Sequence, residues 1–334
     1  MRDDLESDPN QAIYVDPQMG PIIEQMITRM AEREPFGTVS PEVMRRRFNE
    51  DTAAWNENPP ALPRVVDGTI DGAAGALRYR LYDPVGNGAA LPCLLHFHGG
   101  GWIVGDYATN DRTLRLLAKI SGVAVLSADY RLAPEHKFPA GLDDCVAVSR
   151  TVHERANDLG IDPERIGISG DSAGGNLALA AALKLRDEGE DWLKFLLLVY
   201  PALCPKGDSG SHRIFGQGEF GLGTQAMEFF WSLYLREAGE RNNPLAAPLL
   251  ANLDGLPYTQ IVSGGLDALQ DDAYRLEQLL AKARVPHEHR MYPGVVHGFF
   301  SMTNFLDVAN VAVEEAAAVI AQQLGVSELP AGRG

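Results

Sequence analysis

Three polar residues of this 334-residue chain stand where they could do acyl-transfer chemistry. Ser172 is the centre of Gly170-Asp171-Ser172-Ala173-Gly174, a G-x-S-x-G pattern. A serine in that pattern sits on a sharp strand-to-helix turn with its hydroxyl exposed, and small flanking residues leave room where a Cβ would meet neighbouring backbone. The pattern alone is a weak signal. Its context strengthens it: the apolar residues 166–169 precede it and an Ala/Leu-rich helical stretch, 173–186, follows. A second glycine cluster, His98-Gly99-Gly100-Gly101, ends another apolar run. Backbone of this kind can aim N–H groups at a developing oxyanion. The competing reading, a phosphate-binding turn, lacks the G-x-x-x-x-G-K-[ST] or G-x-G-x-x-G helix start.

A serine nucleophile needs a base, and the base needs an orienting acid. On a strand–helix alternation the chain order is Ser, acid, His, each just past a strand. Residues 259–263 read as a strand that ends in Gly264-Gly265-Leu266-Asp267. Asp267 is therefore the expected acid. Asp271 and Asp272 are the runners-up, better suited to a helix N-terminus. His297 follows the strand 287–291 in a loop, 30 residues after Asp267 and 125 after Ser172. His96, His98 and His136 precede the serine, which is the wrong order. His153 falls on a helix, His212 in an insertion, and His287 and His289 on a strand. Structural or solvated roles are expected for all seven. His287-x-His289 alone is a weak metal-ligand spacing.

The elements that must position these residues alternate. Strands are expected at 64–70 and 76–82, with a hairpin signal at Asp71-Gly72, and again at 93–97, 123–128, 165–169, 195–200, 259–263 and 287–291. Helices are expected at 111–120, 142–159, 173–186, 273–283 and 308–324. Strand, helix, strand in this order means a mainly parallel sheet with helices on both faces. Ahead of it, Pro21 opens one helical pattern, and Ser40-Pro41-Glu42 starts another. The basic run Arg45-Arg46-Arg47 reads as a solvated helix face. The division is 1–60 as N-terminal helices and linker, 61–200 with 257–334 as the catalytic domain, and 201–256 as an insertion rich in glycine and aromatics. A connection that long in a compact α/β unit is usually functional, often a lid.

Hydrophobic residues make up 45% and charged residues 22%, ordinary globular values. The formal net charge is −16. Phosphate backbones and anionic membrane surfaces repel such a surface, so neither nucleic acid nor stable membrane insertion is expected. The most apolar stretch, 195–204, falls far short of the roughly 20 residues that span a bilayer. Cys93, Cys145 and Cys204 are odd in number and lack a paired short spacing, so neither a disulfide framework nor a zinc site is indicated. Reduced thiols fit a cytoplasmic location. Asp3, Asp4, Glu6 and Asp8 make an acidic start unlike a secretory signal.

Four segments together carry a resemblance: His98-Gly99-Gly100-Gly101-Trp102, Asp129-Tyr130-Arg131-Leu132-Ala133-Pro134-Glu135, Gly170-Asp171-Ser172-Ala173-Gly174-Gly175-Asn176 and His297-Gly298-Phe299. In order and spacing, from about Arg64 to the last helix, the chain resembles the bacterial hormone-sensitive-lipase-like esterases of the α/β-hydrolase fold. The resemblance implies a mostly parallel eight-stranded sheet flanked by helices. A helical cap is implied from 1–60 and 201–256. It implies Ser172, Asp267 and His297 as a triad, and the amides of Gly99, Gly100 and Ala173 as the oxyanion hole. It further implies a small-molecule ester as substrate, no cofactor or metal, and, in many members, a homodimer formed through the last strand. The expected activity is hydrolysis of short- to medium-chain acyl or aryl esters. The alternatives are an amidase, lactonase or other acyl hydrolase, or a catalytically silent small-molecule receptor; the presence of His297 argues against the last. A neutral base is required, so the rate is expected to fall as pH drops through about 6.5.

Overall fold

Residues 13–34 and 37–326 are described by a computed structural model; the acidic start at Asp3 to Asp8 lies outside the described residues. Two helices lead, α1 (Met19–Ala31) and α2 (Pro41–Thr52). Pro21 falls in the first turn of α1, where a missing N–H costs nothing. Ser40 caps α2, its hydroxyl accepting from the Val43 amide. Then follow β1 (Arg64–Gly72), β2 (Gly75–Asp83), β3 (Leu91–Phe97), α3 (Asp111–Ser121), β4 (Ala124–Ala128), α4 (Ala140–Glu154) and α5 (Ala156–Leu159). The second half runs β5 (Ile161–Asp171), α6 (Ala173–Asp187), β6 (Leu193–Val199), α7 (Gly210–Phe215), α8 (Thr224–Tyr234), β7 (Tyr258–Leu266), α9 (Gln270–Lys282), β8 (His287–Val296) and α10 (Asp307–Gln323).

The eight strands form one sheet in the order β1-β2-β4-β3-β5-β6-β7-β8. β1 and β2 make the expected hairpin, closed at Gly72 and Gly75, and β2 runs antiparallel to β4. All later pairings are parallel. Side chains alternate along each strand. Leu95 and Phe97 of β3, with Leu196 and Leu198 of β6, enter one core with α4, α6 and α9. Leu94, Leu197 and Val199 enter the other, with α3 and α10. Both faces are covered, which is why these strands read as unbroken apolar runs. From β3 the chain moves to β4 on one side and returns to β5 on the other. The crevice at the carboxyl ends of β3 and β5 is therefore the topological switch point, where open α/β sheets bind ligands.

Three expectations need correction. The helix expected over 142–159 breaks at Arg155 into α4 and α5, and Gly160, left-handed at φ +72°, ends the second. β8 continues past Met291 through Pro293 and Gly294, because a bulge between Gly264 and Leu266 restores its pairing with β7. A proline is tolerated there on an edge strand. Arg45 is no solvated residue. Its guanidinium donates to the carbonyls of Ile103 (2.9 Å) and Ala133 (3.1 Å) and to both carboxylate oxygens of Glu135, fastening α2 to the turn after the glycine cluster. Among the described residues no helix is long and apolar enough to cross a membrane.

Candidate active site

The G-x-S-x-G segment links β5 to α6 without a spare residue. Ser172 takes φ +55°, a backbone conformation that side-chain-bearing residues rarely adopt. The flanking glycines make it feasible. A Cβ on Gly170 would lie 2.2 Å from the Gly174 carbonyl oxygen, and one on Gly174 would lie 2.0 Å from that of Phe97. The turn is held by the Ser172 amide donating to Val199 (2.9 Å) and by the Ala202 amide donating to the Ser172 carbonyl (3.1 Å).

The three residues expected from spacing come together. His297 Nε2 lies 2.9 Å from Ser172 Oγ, and His297 Nδ1 lies 2.8 Å from Asp267 Oδ2. Asp267 is 1% exposed, and its other oxygen accepts the Leu269 amide at 2.8 Å. The Tyr200 ring stands 4.6 Å from the imidazole, centroid to centroid. The runner-up carboxylates serve the insertion instead. Asp271 Oδ2 accepts the Ser211 amide, and Asp272 Oδ2 accepts those of Leu203 and Cys204. Burial pushes the Asp272 carboxyl up to about 7.

The glycine cluster ends β3 beside the elbow. Here one expected donor must be withdrawn. The Gly99 amide donates to Asp171 Oδ1 at 2.9 Å, so it is already engaged and does not line the cavity. The Gly100 and Gly101 backbones, at φ +113° and +59°, do line it, together with Ala173. Ala173 opens α6, where an amide has no partner within the helix. Among the described residues no backbone acceptor outside the regular elements takes these three amides. Spacing along the chain does not reveal the engagement of Gly99, since its partner lies 72 residues away.

Spacing alone gives Asp171 no role of its own. It accepts from Gly99 and, at 2.9 Å, from Asn110 Nδ2. Burial alone would raise its carboxyl. The hydrogen bond of His96, with the neighbouring imidazoles and the Gly99 amide, outweighs that and holds it below its ordinary value. His96 and His98 are both buried. His96 Nδ1 lies 3.0 Å from Ser169 Oγ, and His98 stacks on Tyr130 at 4.4 Å.

The cavity above the triad holds about 440 Å³. Met26, Met30 and Phe48 line it from α1 and α2, and Met227, Phe229 and Phe230 from α8. Methionines and aromatics make an adaptable apolar wall. Backbone strain gathers here as well: of the five described non-glycine residues with positive φ, Trp102, Ser172 and Tyr200 line this cavity. Such strain persists where function requires it.

A second constellation shows what the cavity contributes. His289 Nε2 lies 2.8 Å from Ser263 Oγ and its Nδ1 3.0 Å from Glu277 Oε2, a Ser-His-acid arrangement between β7, β8 and α9. Ser263 is 1% exposed, and it is absent from the lining of the cavity above Ser172. Among the described residues no group of three or more His, Cys, Asp or Glu is placed to hold a metal ion.

A family model described as an alpha/beta hydrolase fold matches residues 94–301. An acetyl esterase of Salmonella schwarzengrund is 32% identical over 278 residues, covering 83% of this chain and 85% of that protein. Esterase LipI of Mycobacterium tuberculosis is 35% identical over 301 residues, covering 87% and 92%. Among solved structures, LAE6, an alpha/beta hydrolase enzyme from the metagenome of Lake Arreo, Spain, matches with a TM-score of 0.88 at 35% identity, over 93% of this chain and 99% of that one. The esterase of Pyrobaculum calidifontis matches with a TM-score of 0.85 at 34% identity, over 91% and 98%.

Proposed function

The chain belongs to the α/β-hydrolase family, among its hormone-sensitive-lipase-like esterases, and from that premise we propose that Ser172, His297 and Asp267 are the triad of a serine carboxylesterase. The observation that carries the assignment is the pair of contacts on one imidazole, 2.9 Å to Ser172 and 2.8 Å to Asp267, at the floor of an apolar cavity. Ser172 Oγ attacks the ester carbonyl while its proton passes to His297 Nε2. Asp267 fixes the imidazole tautomer with Nδ1 protonated and stabilises the imidazolium. The oxyanion accepts from the amides of Gly100, Gly101 and Ala173, each supplying ~3 kcal/mol of transition-state stabilisation. His297 then protonates the leaving alcohol, leaving an acyl-enzyme. Water, deprotonated by the same imidazole, releases the acid and restores Ser172.

The substrates are short- to medium-chain acyl or aryl esters. The bounded, Met- and Phe-lined cavity supports that choice, as does the name of the Salmonella relative. α1 and α2 with the 201–256 insertion form the cap, because these segments supply the cavity wall opposite the triad. A second copy pairs along β8, the sheet edge where Met291 is 39% exposed; light scattering that finds only monomer removes this part. Cytoplasmic location rests on three buried free thiols, Cys93, Cys145 and Cys204; recovery of the protein from a secreted fraction would overturn it.

Labelling with a fluorophosphonate, followed by peptide mapping, is expected to modify Ser172. Ser172→Ala is expected to fold and to lose turnover of p-nitrophenyl butyrate by about 10³-fold or more. Retained turnover would remove the serine from its role. A panel of esters, anilides and lactones separates an esterase from an amidase or lactonase on the same scaffold.

A further inference from the structure

We propose that Asn110 is a positioning residue that holds the glycine loop, the nucleophile elbow and the histidine loop in one register, an inference that rests on the esterase reading of this site. Asn110 directly precedes α3. An asparagine there ordinarily accepts a hydrogen bond from an amide of the helix's first turn. This one makes no side-chain cap bond; only its backbone carbonyl serves the helix, accepting the Leu114 amide at 2.9 Å.

The side chain is turned toward the site instead, and Asn110 is only 6% exposed. Its Nδ2 donates to Asp171 Oδ1 at 2.9 Å and stands 3.3 Å from His96 Nε2, while its Oδ1 accepts from Ser301 Oγ at 3.0 Å. An ionised Asp171 accepts and cannot donate, which fixes which end of the amide faces it. Asp171 immediately precedes the nucleophile, and the same Oδ1 takes the Gly99 amide at 2.9 Å. Ser301 closes the short turn Phe299–Ser301 that follows His297 and Gly298. One side-chain amide thus joins the segment after β3, the last residue of β5 and the turn after β8, the three places that bring oxyanion donors, nucleophile and base.

Few side chains fit this bridge. An aspartate would set a second carboxylate against Asp171. An apolar residue of the same size would leave the Ser301 hydroxyl and the Asp171 oxygen without this partner, inside buried surroundings. A helix cap alone would be served better by the ordinary cap geometry, which Asn110 forgoes.

The test compares the parent protein, Asn110→Ala, Ser301→Ala and the double variant on p-nitrophenyl butyrate. Turnover is divided by the concentration of Ser172 that a fluorophosphonate titrates, so that loss of folded protein is not counted. Small misplacements of reacting groups cost up to ~10²-fold, and Asn110→Ala is expected to lower kcat per titrated site about tenfold with KM within about twofold. Ser301→Ala is expected to lower kcat less, and the double variant no more than Asn110→Ala, since both cut the same link. A lower melting temperature with unchanged kcat per titrated site would overturn the proposal and leave Asn110 a purely structural residue. Ser301→Ala deletes only one hydroxyl, and its kcat per titrated site decides the matter in the same way if Asn110→Ala does not fold. A parent protein that is not labelled at Ser172 would instead be a failure of the esterase reading, visible before any variant is compared.

Discussion

An amide in place of the Asp267 carboxylate would present a donor, as well as an acceptor, to His297 Nδ1. The imidazole would then be free to carry its proton on Nε2, where it cannot take one from Ser172. Asp267→Asn is therefore expected to lower kcat by about 10⁴-fold with little change in KM, the effect that a wrong tautomer has in serine proteases. Asp271 lies only four residues on, yet its carboxylate is taken by the Ser211 amide at 2.9 Å. Asp271→Asn is expected to leave kcat within about twofold, because its carboxylate faces Ser211 and not His297. Steady-state kinetics on both variants decides between them. A reversed order would return the acid's role to Asp271.

Gly174, the second residue of α6, sets helix propensity against packing. In an exposed helix, alanine is favoured over glycine by about 1 kcal/mol. Here the added Cβ would stand 2.0 Å from the Phe97 carbonyl oxygen and 2.5 Å from that of His98, backbone atoms at the end of β3. They cannot yield without moving the glycine loop. Packing wins, and Gly174→Ala is expected to cost about 3 kcal/mol in urea unfolding, at the upper end for overpacking, and to lower kcat as well. A neutral or stabilising result would mean that β3 and α6 are less closely apposed. This local crowding explains why so much of the architecture was legible. Strands buried on both faces write themselves as apolar runs, and an elbow writes its glycines at fixed spacing. The order Ser172, Asp267, His297 was readable because each follows a strand. What stayed hidden depends on partners remote in the chain. Gly99 has the spacing of an oxyanion donor, but Asp171 holds its amide. Arg45 looked solvated because its acceptors lie 58 to 90 residues away. By apolar alternation alone β8 stops at Met291, and only its pairing with β7 carries it through Pro293.

For the molecule as a whole, the balance of buried charge decides how stability follows pH. Burial holds the imidazoles of His98 and His212 below their ordinary value of 6.5. The unfolded chain therefore takes up these protons before the folded one does, and stability falls as pH drops through that value. Asp272 has the opposite slope. Its carboxyl is 3% exposed and is raised from 3.8 to about 7 by burial, against the hydrogen bonds from Leu203 and Cys204. Between those values the folded chain keeps a proton that the unfolded chain has lost. Stability from this group is thus greatest in acid, declines as pH rises toward 7, and stays level above. A carboxyl raised from 3.8 to about 7 carries about 4 kcal/mol as an upper bound. Asp272→Asn keeps an oxygen for the two amides and has no proton to lose. Its unfolding free energy relative to the parent, measured in urea across the range, is expected to improve by up to about 3 kcal/mol between about pH 4.5 and 7.5 and then to plateau. His98 and His212 are unchanged in the variant, so their contribution cancels in the difference. A difference that is flat with pH would show Asp272 already ionised in the folded protein at about pH 5, its charge carried by the amides that open the insertion.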